Sequence, residues 1–88
     1  MDNQQVVRPY RSIRVGGFTF GYVPDHQVVK ISHKSTLSPH TRNLGDIKLT
    51  RSDIDGELII ERYPNCSVKL FNHVIELHKS VILELIQD

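Results

Sequence analysis

The sequence predicts an α+β domain: two antiparallel β-hairpins, four to five strands in all, followed by one C-terminal amphipathic helix. Three observations carry that expectation. Residues 12–33 alternate apolar and polar side chains about a Pro-Asp turn, the period of half-buried strands. Residues 47–63 do the same about Asp55-Gly56. From Asn72 onward the period changes, and apolar residues recur at three- and four-residue spacing. With 88 residues there is room for one core, so a single domain is expected over 12–88, preceded by a flexible basic arm over 1–11.

The elements follow in order. Ser12 to Val15 reads as a short strand ended by Gly16-Gly17. Phe18 to Val23 places Phe18, Phe20 and Tyr22 on one face, and Pro24-Asp25 turns the chain into a returning strand, Gln27 to His33. If Val23 faces His26, then Phe20 faces Val29 and Phe18 faces Ile31, which makes one side wholly apolar. Lys34 to Gly45 reads as a long polar loop. In the second hairpin a two-residue turn at Asp55-Gly56 puts Ile47, Leu49, Leu58 and Ile60 on the core side, and Cys66 to Leu70 suggests a brief fifth strand.

Asn72 is the expected N-cap of a helix running to about Gln87. At the helical angle per residue, Leu77, Val81, Val74, Leu85, Ile82, Ile75 and Ile86 cover an arc of roughly 180°. That is wider than one sheet face requires, and it predicts a homodimer with Val74, Leu77, His78, Val81 and Leu85 at its interface. A helix sunk deeply in its own core is the competing account of the same arc.

Several chemistries are disfavoured. Cys66 is the sole cysteine, so no internal disulfide staples the chain, which fits an intracellular protein, cytoplasmic or nuclear. The first fourteen residues show no signal-peptide core, and the apolar C-terminal stretch is interrupted by His73, Glu76, His78, Lys79 and Glu84, so no membrane partner is expected. No nucleophile is framed by a base and an orienting group, so the chain is not expected to be an enzyme. His26, His33 and His40 are scattered, and on a continuous helix His73 and His78 stand about 140° apart. No metal and no cofactor is expected. Gly17-Phe18-Thr19-Phe20 is similar to the aromatic strand of RNA-recognition motifs, but the βαβ order is absent and both rings are expected in the core.

Charge is distributed unevenly. Residues 1–44 have a balance of +4 and residues 45–88 a balance of −3. The basic half points to an anionic partner or to the acidic half of another subunit. The former would be single-stranded nucleic acid, contacted by Arg8, Arg11, Arg14, Lys30, Lys34 and Arg42 on phosphates, with Tyr10, Tyr22 or Tyr63 available to stack on bases. The alternative is a non-enzymatic interaction module, accessory or inhibitory, that binds another protein through the C-terminal helix or a sheet edge.

Leu58-Ile59-Ile60-Glu61-Arg62-Tyr63 after a glycine turn resembles the Ile-Arg-Glu-Tyr strand of the positive-cofactor-four family of transcriptional coactivators. Val68-Lys69-Leu70 ahead of a helix looks like that family's Ile-Ser-Leu segment. The resemblance covers about half of the chain. It implies a homodimer whose sheets grip single-stranded DNA or RNA, with Arg62 and Tyr63 in inherited strand positions and Lys48 and Arg51 on the neighbouring strand.

Overall fold

A computed structural model describes residues 10–34 and 40–87. Its strands are β1 (Arg11–Val15), β2 (Phe18–Val23), β3 (Val28–Lys34), β4 (Thr41–Arg51) and β5 (Leu58–Arg62), followed by helices α1 (Val68–Leu77) and α2 (Lys79–Leu85). The strands form one antiparallel sheet in chain order, β1-β2-β3-β4-β5, and the helices cover one of its faces. The α+β class is therefore as the alternation predicts. Phe20, Val29, Ile31, Ile47 and Leu49 from the sheet meet Cys66, Val74, Ile82 and Leu85 in a single buried core.

Both long hairpins pair two residues out of the expected register. Phe20 stands opposite Ile31, and Phe18 opposite His33. The cause is a four-residue loop. Val23 O accepts from His26 N, as Pro24-Asp25 requires, but Gln27 then adopts φ 55° before β3 begins. In the second hairpin Ser52 N donates to Glu57 O, leaving a four-residue loop over 53–56 with Gly56 at φ 72°. Leu49 therefore faces Ile60, not Arg62. Because side chains alternate with period two, a shift of two residues leaves every face assignment intact.

Within the loop expected over Lys34–Gly45, Lys34 and Thr41 to Gly45 are strand. Thr41 to Gly45 pair with Lys34 back to Ile31, and the register slips between Ile31 and Ser32 where Leu44 is the extra residue. The centre of that expected loop, 35–39, lies outside the described residues. Gly45 is required here: its φ is +142°, and a Cβ would stand 2.5 Å from Cys66 Cα.

The C-terminal half departs further. Cys66 to Leu70 is not a strand. Ser67 caps α1 by accepting from Leu70 N at 3.1 Å, so the N-cap stands five residues before Asn72. It is also not continuous. His78, at φ −126° and ψ 17°, ends α1, and its carbonyl accepts from Val81 and Ile82 to start α2. The break re-aims the apolar residues: α1 buries Val74, and α2 buries Ile82 and Leu85. The chain's own core thus covers part of the apolar arc, while Leu77 stays exposed.

Candidate nucleic-acid interface

The sheet face away from the helices carries no covering element among the described residues. Strand alternation and pairing define what stands on it. Ser12, Gly21, Lys30 and Asp46 form one cross-strand row. Arg14, Thr19, Ser32 and Asn43 form a second, and Val23, Val28, Lys48 and Glu61 a third. Lys34 follows Ser32 on the same side. The charges on this face are therefore Arg14, Lys30, Lys34 and Lys48 against Asp46 and Glu61. Asp46 is already engaged, since its carboxylate accepts from Asn65 Nδ2 at 3.0 Å and its backbone N donates to Asn65 Oδ1.

Tyr10 completes the face. It precedes β1, and its hydroxyl occupies the space that a Cβ on Gly21 would take. The phenol therefore lies against bare backbone, 60% exposed, while Gly21 beneath it is buried. Any side chain at 21 would displace it. Ser12 and Lys30 flank Gly21 on the neighbouring strands, and Arg14 stands one step along β1. Beside Lys30, where β4 bulges, a depression of about 220 Å³ is lined by Lys30, Ile31, Asn43, Gly45, Asp46 and Asn65.

Of the residues predicted from sequence to meet nucleic acid, Tyr10, Arg14, Lys30, Lys34 and Lys48 come together on this face. The others do not. Arg11 points to the helix side, where its guanidinium donates to Leu85 O at 3.3 Å and to Gln87 O. It begins β1 and caps the carbonyl end of α2, so it belongs to the fold and not to an arm. Arg62 also faces the core side, opposite Ile47, and donates to Cys66 O at 2.6 Å, holding the turn that leads into α1. Arg42 shares a face with His33, away from the bare side, and Tyr63 lies past the end of β5, half-buried. Arg8 lies outside the described residues. Gly21, Thr19, Ser32 and Asn43 were not legible as site residues, and only the pattern of polar positions within β2, β3 and β4 hints at them.

The five positions expected at a dimer interface are distributed unevenly. Val74 and Leu85 are buried in the chain's own core, and Val81 packs against it. The His78 ring lies 5.8 Å from that of Phe18 and 5.4 Å from that of Phe20. Leu77 alone is open to solvent. In the segments that resemble the coactivator family, Leu58 to Arg62 is strand β5, whereas Val68 to Leu70 forms the first turn of α1.

Among the described residues, two groups outside this face are clearly shifted. Burial pushes the Cys66 thiol up, which keeps it protonated and unreactive. The Glu57 backbone N–H and the Ser52 hydroxyl hold the Asp55 carboxyl below the usual range. No helix among the described residues is long and apolar enough to cross a membrane. No protein-family model, curated protein or solved structure matches this chain.

Proposed function

We propose that the protein binds single-stranded nucleic acid across the bare face of its sheet, without catalysis. The observation that carries this reading is Tyr10 seated on Gly21, with Lys30 on the neighbouring strand and Arg14 one step along β1. An exposed aromatic plane stacks on an unpaired base, and cations at strand spacing meet the phosphates on either side. Lys34 and Lys48 extend the cationic surface along β3 and β4. Thr19, Ser32 and Asn43 add hydrogen-bonding groups between them. A duplex hides its base faces in the stack, so the tyrosine favours the single strand.

The test is a fluorescence-anisotropy titration of labelled single-stranded and duplex oligonucleotides at two salt concentrations. Single strands bind more tightly, and affinity falls steeply with salt because counterions leave the phosphates. Tyr10→Ala weakens binding without altering the salt slope, since it removes stacking and no charge. Absence of binding to every oligonucleotide at low salt overturns the reading. The protein-interaction reading then takes its place, with the C-terminal helices and the outer edges of β1 and β5 as the surfaces to examine.

A further inference from the structure

The break between α1 and α2 brings together two side chains that a continuous helix would hold apart. Along an unbroken helix His73 and His78 diverge by about 140°. With α1 ended at His78, their ring centroids stand 5.6 Å apart. Both lie against Phe18 of β2, at 6.0 Å for His73 and 5.8 Å for His78. Phe20 supports His78 from below. His73 is exposed and His78 half-buried, so the pair has a supported side and a side open to water.

That spacing is what two imidazoles sharing one ion need. A zinc–nitrogen bond is about 2.0–2.1 Å, and the ring centroid lies roughly 1.2 Å behind the nitrogen, so a tetrahedral angle sets the centroids about 5.2 Å apart. The observed centroid separation is 5.6 Å, with the ring planes at 65° to one another, a few tenths of an ångström beyond that. We infer that His73 and His78 form a two-imidazole site for a divalent transition-metal ion such as Zn²⁺ or Ni²⁺. Each neutral ring donates one nitrogen lone pair, and water fills the remaining positions. No third His, Cys, Asp or Glu converges on the pair among the described residues, which makes the site open and reversible and not a closed structural centre.

The location gives such an ion a consequence for the fold. His73 belongs to α1, and His78 is the residue at which α1 stops and α2 starts. An ion bridging them fixes the angle of the break, and with it the seating of both helices on Phe18 and Phe20. The only cysteine is free, so no disulfide provides such a clamp. Binding energy directed at the folded arrangement appears as stability.

The experiment is a Zn²⁺ titration of the whole chain by calorimetry, with histidine ring resonances followed by NMR. One ion is expected per chain, with the ring signals of His73 and His78 moving together and the thermal midpoint rising. His73→Ala, at an exposed position that leaves the core intact, lowers the affinity at least tenfold. His26→Ala, in the β2–β3 turn, leaves it within twofold. Circular dichroism verifies that each variant is folded. The inference is overturned if His73→Ala binds Zn²⁺ as the parent does, if His26→Ala loses as much, or if the signals of His73 and His78 fail to respond.

Discussion

The two faces of the sheet are built from the same strands and obey opposite rules. On the covered face Phe20, Val29, Ile31 and Ile47 have essentially no exposed surface, and each is tied to residues far away in the chain. Among the described residues of the bare face the side chains are of mixed type, with Arg14, Lys30 and Lys34 exposed and Thr19, Ser32 and Lys48 half-buried. Substitution on the first face acts on the fold. On the second it acts on whatever the face meets. The two glycines that matter divide the same way. At Gly45 a Cβ would meet backbone, whereas at Gly21 it would meet the tip of a movable side chain.

The sharpest way to break the comparison is in the core. Phe20→Ala is expected to cost about 3–5 kcal/mol, a large share of the stability of a domain this small, and to leave a chain that is partly unfolded at ambient temperature. Urea denaturation followed by circular dichroism measures it. A loss below 1 kcal/mol would mean that the covered face is not the stabilising one.

The glycine pair comes next. Gly45→Ala meets the Cys66 backbone at a positive φ, so a loss of roughly 2–4 kcal/mol is expected. Gly21→Ala displaces only Tyr10, with a stability change below about 1 kcal/mol and a drop of roughly tenfold in affinity for single strands, as for Tyr10→Ala. Measuring both variants in both assays gives a crossed result if the two faces are separate. Parallel losses in the two assays would merge them.

Charge gives a finer contrast. Arg11→Ala removes the donor to Leu85 O and Gln87 O and lowers stability by about 1 kcal/mol, with little change in the salt slope. Replacing Arg14, Lys30 and Lys48 together by Gln keeps stability within about 0.5 kcal/mol and makes the salt slope for single strands shallower by about 2 units. An unchanged slope in the triple variant would remove these three from the phosphate contacts.

The smallest effect lies in the 53–56 loop. The carboxyl of Asp55 is held below its ordinary value of 3.8, so its ionised form favours the folded state. Its contribution is present above the unfolded-state value and is lost as pH falls through the lower folded-state value. Asp55→Asn should therefore unfold slightly sooner than the parent at neutral pH, and the gap should close in acid. Unfolding midpoints measured from pH 2 to pH 7 check the sign, and a gap that widens in acid would reverse it.

Much of this molecule is local chemistry, and that part was legible from the residues. Period-two alternation decides which side of each strand is apolar, and it survived in both hairpins although each register lay two residues from expectation. The difference arose at Gln27, where a left-handed residue lengthens the first loop, and at Asp53 and Ile54, which join Asp55 and Gly56 in the second, and composition does not reveal either. Gly45 is similar: its need for positive φ comes from Cys66, a contact between distant parts of the chain. The helix break at His78 has no proline or glycine to announce it, and it follows from fitting two short apolar stripes onto one sheet. Tyr10 on Gly21, Arg11 on the end of α2, and His73 beside His78 are likewise products of packing. Alternation, turn residues and charge balance are set by neighbours in the chain, so the sequence by itself determined the α+β class, the core face and the basic character. Which cations share a surface, and which hold the fold, depends on where distant segments meet, and only the tertiary structure decided it.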